Sequence, residues 1–395
     1  MDQLPALRAV YRFLAAPGED PDDRAEAIAR EQTLEVPSGA ATPEIEARLL
    51  GRVVSVERDR GEPSALTDVG LEAARIEIEY PAPLFDGSPT QLLNVVWGNV
   101  SLMERVRLVD LVLPDWCLES FPGPGLGIPG IRDRLGVADR PLVASALKPV
   151  GLNPRELAEL ARRLARAGVD VIKDDHGLAD QSVAPFLERV QRVAEAVADE
   201  NARRGGRTLY LPNATAVAGA LEERAGEAAR VGCDGVVVCP GLTGMDALVR
   251  LRQAEPRLAL MAHPSHSNTA PRARRGIAPP LLMGTLWRLF GADCVIYVNA
   301  RGRFAWPLET CQAINQRARG PLALHRPAFP VPAGGIQARD VAHWFETYGP
   351  ETLLLIGGSV LEADDVEAAA REVVEAANRA LSPVGEGTPS PEATT

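Results

Sequence analysis

Lysine is nearly missing from this chain of 395 residues. Of its 42 basic side chains only Lys148 and Lys173 are lysines, and every other one is arginine. A solvated surface accepts either cation, but a site that needs a titratable amine cannot use a guanidinium, which stays protonated at any ordinary pH. Two lysines kept against that background mark candidate chemistry. Cysteine is sparse as well. Cys117, Cys233, Cys239, Cys294 and Cys311 are odd in number and form no CxxC pair, which argues against a disulfide framework or a zinc site. Most sit in apolar runs and read as core thiols. No apolar run approaches the roughly 20 residues of a membrane span, and MDQLPALRAVYRF lacks the basic-then-apolar pattern of an export signal. Positive charge is in deficit, with a net charge of −11. Neither nucleic acid nor an anionic membrane is therefore expected as a partner, and the expected setting is the cytoplasm. A local basic pocket for a small anion remains compatible with an acidic surface.

What is present is ordinary globular material, 46% hydrophobic and 24% charged, enough for a sizeable core. The length fits one large barrel plus a smaller domain. RAEAIAREQT reads as a helix, while RVVSVERD and ARIEIEYP alternate with period two as strands do. Residues 1–125 are thus expected to form an α+β domain, of ferredoxin-like type. FPGPGLGIPG, rich in Gly and Pro, is expected as the junction. From Pro141 onward short apolar runs alternate with helical stretches: PLVASALKP, VDVIKDD, TLYLPNA, GVVVCPG, LALMAHP, DCVIYVN, AFPVPAGG and TLLLIGG. The helix RELAELARRLARAG opens on Asn153-Pro154 and closes at Gly168, a good N-cap, first-turn and C-cap set. Eight βα units predict an α/β fold whose C-terminal part, residues 126–381, is a (β/α)8 barrel. Residues 382–395 read as a disordered tail.

Such barrels carry their active sites at the C-terminal ends of the strands. The first candidate strand ends in Lys148, the second in Lys173-Asp174-Asp175-His176, and the third in Asn213. The fifth ends in His263, followed by Ser265 and His266. The sixth ends in Asn299, with Arg301 and Arg303 beyond. The seventh and eighth end in Gly334-Gly335 and Gly357-Gly358. Both lysines and three of the five histidines fall on this one rim. Glycine pairs after the last two strands free backbone N–H groups to face an anion, the usual phosphate site of these barrels. Lys173, Asp175 and His176 bring potential metal-associated groups to one loop, while strand alternation turns Asp174 away as a structural residue. Lys148 suits acid–base work or stabilisation of an enolate oxygen, and His263 proton transfer. His266 reads equally as a functional or a supporting residue, and His325 and His343 as structural.

The segments WGNV, ALKPVGL, GVDVIKDDHGLADQ, LYLPNATA, MAHPSHSN, GADCVIYVNARGRF, PAGGI and LLLIGGSV resemble, in order and spacing, the large subunit of RuBisCO, and specifically its RuBisCO-like relatives. The resemblance runs from about Ile76 to Glu362. It implies that Lys173 is carbamylated by CO2 to become a Mg2+ ligand beside Asp175, with His176 in the third ligand position. It implies active-site roles for Lys148 and His263, a place at the third strand for Asn213, and phosphate binding at Gly334, Gly335, Gly357 and Gly358. Glu31 and Asn99 match N-terminal residues that reach the neighbouring subunit's site, which implies a homodimer or a multiple of dimers.

The departures from RuBisCO itself are specific. His176 stands where the family's carboxylase has a glutamate ligand, Val150 where it has a second lysine, Pro264 where it has an arginine, and Ala333 where it has a serine. The sixth-strand loop, NARGRFAWP, has no lysine to meet CO2. The expectation is an enzyme that forms a Mg2+-stabilised enolate from a phosphorylated ketose or 3-oxo sugar acid, as an isomerase or decarboxylase and not as a carboxylase. Arg301 and Arg303 at the pocket edge lean toward a sugar-acid substrate. A Schiff-base aldolase working through Lys148 and a non-catalytic barrel that binds phosphate esters stay open as alternatives.

Overall fold

The computed structural model describes residues 5–59 and 70–380; the tail expected over 382–395 lies outside them. Among the described residues two sheets organise the chain. The first contains β1 (Leu7–Ala15), β2 (Arg52–Asp59), β3 (Glu72–Tyr80) and β4 (Val106–Val112), in spatial order β4-β1-β3-β2. Each neighbouring pair in it is antiparallel. Helices Pro21–Glu31 and Pro43–Leu49 lie between β1 and β2, and Pro89–Trp97 between β3 and β4, which is the split βαβ connectivity of a ferredoxin-like domain. β3 illustrates the period-two rule. Ile76, Ile78 and Tyr80 are fully buried, while Glu77 takes the other face and pairs with Arg8.

The second sheet begins with β5 (Leu142–Leu147), β6 (Val171–Asp174), β7 (Leu209–Leu211), β8 (Gly235–Val238) and β9 (Ala259–Ala262). The short β10 (Gly276–Ile277) leaves this sheet and pairs in parallel with β4, so a barrel loop extends the N-terminal sheet. Then follow β11 (Cys294–Val298), β12 (Phe329–Ala333) and β13 (Leu353–Leu355). The parallel order β7-β6-β5-β13-β12-β11-β9-β8 closes through a bridge between Asn213 and Val237. The strands fall on the eight apolar segments that the sequence rhythm marked. The helix Pro154–Ala167 carries its expected signals: Asn153 and Glu156 form a reciprocal capping box, and Gly168 ends the helix at φ 91°.

Val171, Leu209, Val237, Met261, Ile296 and Val331 pack inside the barrel, and Ile128, Ile131 and Leu135 join the same cluster. They come from the helix Gly127–Leu135, which plugs the end opposite the site. The last part of FPGPGLGIPG is therefore the start of a helix. Buried Asp293 accepts the N–H groups of Leu126 and Gly127 at 2.7 Å each, which fixes the helix start. Gly127 has φ 60°, and a Cβ there would lie 2.7 Å from the Pro327 carbonyl oxygen. All five cysteines are buried and unpaired. No described helix is long and apolar enough to cross a membrane.

Candidate active site

Strand alternation builds the site. In β6, Val171 belongs to the barrel interior and Ile172 to the outer layer. Lys173 and Asp175 therefore face inward and Asp174 outward. Asp174 is fully buried and structural: its carboxylate pairs with Arg189 at 3.1 Å and accepts the Tyr210 hydroxyl at 2.9 Å and the Asn213 N–H at 3.1 Å. Lys173 and Asp175 line a cleft of about 840 Å³ at the C-terminal ends of the strands, together with Lys148, His176 and His263.

The cluster is tightly coupled. Lys148, 47% exposed, sets its Nζ 3.1 Å from Asp175 Oδ1. Lys173 is 1% exposed and donates to the Asp174 carbonyl at 2.7 Å. Burial disfavours its ammonium form and outweighs the nearby carboxylates, lowering its pKa to about 8. Burial alone would raise the Asp175 carboxyl. The His176 contact at 3.5 Å and the charges of Lys173 and Lys148 prevail and hold it well below the usual carboxylate range. The His176 and His263 rings stack, with centroids 4.2 Å apart. Burial, and then the charges of Lys173 and His176, push the His263 imidazole far down, so it is neutral. Its Nδ1 accepts the Ser265 N–H at 3.1 Å, which leaves the proton on Nε2. His263 thus offers the cleft a neutral N–H donor, where the sequence suggested a group titrating near neutrality.

The glycine turns form the opposite wall. Gly334 and Gly335 have φ 97° and 69°, and a Cβ on Gly334 or Gly357 would enter open space. Gly335 packs against Gly302 of the preceding loop so closely that a Cβ on Gly302 would lie 2.8 Å from the Gly335 nitrogen. Asn299, fully buried, donates to the Gly334 carbonyl at 3.2 Å and accepts the Tyr348 hydroxyl at 2.8 Å. Arg301 pairs with Asp340 at 3.3 Å and lies over Trp344, and Arg303 lies over Phe304. Both arginines and the Gly357-Gly358 pair line the cleft.

Four of the marked residues lie elsewhere in the chain. Asn213 is fully buried, with its amide donating to the carbonyls of His176 and Leu178 at 2.9 and 2.8 Å, so it braces the loop. His266, at φ 57°, borders a neighbouring cavity shared with Trp97 and Trp287. Glu31 and Asn99 join each other at 2.9 Å on the surface, outside the cleft of their own chain. Conversely, Ser267, Thr269 and Trp306 line the cleft without having been singled out. Ser267 and Thr269 follow β9 in irregular chain, where no periodicity marks them.

Among the described residues no three His, Cys, Asp or Glu side chains converge as a ready metal site. Asp175 and His176 supply two donors, and a third has to come from Lys173. Its lowered pKa makes the neutral, CO2-reactive amine accessible, and a carbamate would turn it into an oxygen donor. With that group the set fits Mg2+, which prefers hard oxygen ligands; His176 contributes the one softer donor.

A ferredoxin-like domain followed by a (β/α)8 barrel with an ionisable cluster at its catalytic end defines the class of protein. Comparison with known proteins then gives the family. Residues 127–306 match the family described as ribulose bisphosphate carboxylase large chain, catalytic domain. The chain is 39% identical to a 5-methylthioribulose-1-phosphate isomerase of Rhodospirillum rubrum, over 91% of this chain and 92% of that one. It is 36% identical to a 2,3-diketo-5-methylthiopentyl-1-phosphate enolase of Geobacillus kaustophilus, over 78% and 76%. The solved Rubisco-like protein of Rhodopseudomonas palustris superposes with a TM-score of 0.84 at 37% identity, covering 97% of this chain and 99% of that one. The chain belongs to the RuBisCO superfamily of enzymes, as a RuBisCO-like protein.

Proposed function

We propose that the protein forms a Mg2+-stabilised enolate from a phosphorylated ketose or 3-oxo sugar acid, and that it does not fix CO2. It would act as an isomerase or a decarboxylase, such as a 5-methylthioribulose-1-phosphate isomerase or a 3-oxo-isoapionate-4-phosphate decarboxylase. One observation carries the reading: Lys148, Lys173, Asp175, His176 and His263 share a single cavity with Gly334, Gly335, Gly357 and Gly358. The glycine turns take the phosphate. Lys148 moves a proton at the reacting carbon or its oxygen, and the neutral His263 donates to a substrate oxygen. Carbamylated Lys173, Asp175 and His176 hold Mg2+, which when bound offsets the charge of the enolate oxygen. Glu31 and Asn99 complete the site of a neighbouring subunit, in a homodimer or a multiple of dimers.

The relatives named as isomerase and enolase support enolate chemistry. The loop after β11 has no lysine, and both lysines of the chain are already engaged elsewhere, which speaks against carboxylation. A Schiff-base aldolase would trap its substrate covalently on Lys148; on the enolate reading, borohydride with substrate leaves Lys148 unmodified. The direct test is proton exchange. The enzyme, with Mg2+ and bicarbonate in D2O, is offered phosphorylated ketoses and 3-oxo sugar acids and followed by NMR. Deuterium entering next to the carbonyl, or a new product, is expected from at least one. Binding without exchange across the panel would leave a non-catalytic barrel as the better reading.

A further inference from the structure

Behind the inward-facing Lys173 and Asp175 lies a polar assembly that enolate chemistry does not itself require. Arg189, on the helix Phe186–Arg204, is 0% exposed, as is its partner Asp174. Its Nε donates to Asp174 at 3.1 Å, while its two terminal nitrogens donate to the carbonyls of Ala184 at 2.6 Å and Ala179 at 2.8 Å. One guanidinium thus ties the residue between Lys173 and Asp175 to both halves of the following loop. Asn213 reaches the same loop from its other side, through the carbonyls of His176 and Leu178. Tyr210 holds the second Asp174 oxygen.

Removing two such charges from water is costly, and an apolar pair of similar size is often as stable. The geometry indicates what this pair contributes instead. A strand of period two places Lys173 and Asp175 correctly only while Asp174 points the opposite way. A planar fork with fixed donor directions can set that orientation and the loop path together; an ammonium could not reach all three acceptors.

We propose that Arg189 is a positioning residue for the active site. It locks the Lys173–His176 segment through Asp174 and the Ala179 and Ala184 carbonyls, so that Lys173 stays buried and Asp175 and His176 face the cleft. Its importance to turnover rests on the function proposed above; its effect on Lys173 does not.

The scarcity of lysine gives a clean readout. In the unliganded full-length protein, trace acetic anhydride labels Lys173 and Lys148, and the ratio of the two is read by mass spectrometry, with Lys148 as internal reference. Arg189→Gln and the charge-neutral double variant Asp174→Asn/Arg189→Met are compared with wild type. Arg288→Gln serves as a control for general destabilisation, since Arg288 is 1% exposed and holds four backbone carbonyls, and neither it nor those partners line the cleft. The double variant is included because Arg189→Gln leaves a buried charge unpaired and can fail to fold. The proposal expects the Lys173:Lys148 ratio to rise about tenfold when the fork is lost, as local opening exposes the amine. The control is expected to melt at a lower temperature with the ratio unchanged. A folded double variant with the wild-type ratio, or a control that raises the ratio equally, overturns the proposal. Failure of the enolate reading would appear separately, as absent deuterium exchange in wild type.

Discussion

At the scale of single residues, the two lysines occupy different environments and should respond differently to change. Lys148 is half exposed and ion-paired to Asp175, so an arginine there can keep the charge while losing the ability to give or take a proton. Lys148→Arg is expected to retain phosphate-ester binding within a few-fold and to lose about 10²- to 10⁴-fold in deuterium exchange, the usual size of a general acid–base contribution. Exchange within tenfold of wild type would remove Lys148 from proton transfer. These residues were legible in the sequence because a titratable amine in an arginine-only chain is conspicuous. The state of His263 was not legible. Its depressed pKa comes from burial first and then from Lys173 and His176 beside it, groups brought together from the end of β6 and the end of β9, and no local pattern encodes that sum. Arg189 was hidden for a related reason: one arginine in a helix reads as surface charge until Asp174 is seen against it.

At the scale of elements, the eight strand segments were readable because each is a short apolar run between helical stretches, and a parallel barrel repeats that unit. The pairing of β10 with β4 was not, since two residues carry no periodicity, and the plug helix was masked by the Gly and Pro around its start. The glycine turns separate packing from binding. Gly335 lies against Gly302 backbone to backbone, and a Cβ there would come within 2.7 Å of the Gly302 backbone, whereas one on Gly334 meets open space. Both residues have positive φ, so alanine carries a conformational cost of about 1 kcal/mol at either. Gly335→Ala must in addition push two loops apart, and is expected to lower Tm clearly while weakening binding of a phosphorylated substrate. Gly334→Ala is expected to shift Tm less and still raise the Kd for that substrate roughly tenfold or more, because the methyl enters the cleft. Calorimetry and titration of the two variants check the contrast; equal Tm losses with unchanged Kd would argue against phosphate at this turn.

At the scale of the whole molecule, His325 ties the N-terminal region to the barrel, with its Nε2 2.9 Å from the Leu118 carbonyl oxygen. Burial lowers its pKa, with Arg288 adding to the effect, and together they outweigh that carbonyl. The unfolded chain therefore takes up a proton that the folded chain resists, so this contribution to stability is present above the unfolded histidine pKa of about 6.5 and declines as pH falls below it. His325→Gln, which can still donate to Leu118, is expected to show a smaller Tm loss than wild type between pH 8 and pH 5.5. The assembly is subject to a stricter test. Glu31 and Asn99 are bonded to each other outside the cleft of their own chain, which suits residues that serve a neighbour. If so, Asn99→Ala and Lys148→Met each abolish turnover, but on different chains of a shared site. In a mixed dimer one site then carries both defects and the other carries none. Random reassortment of equal amounts gives half mixed dimers, each with one intact site of two, so activity should return to roughly a quarter of wild type. Sites contained within single chains would give no recovery at all, because every chain in the mixture is defective, and that outcome would return Asn99 to a surface role.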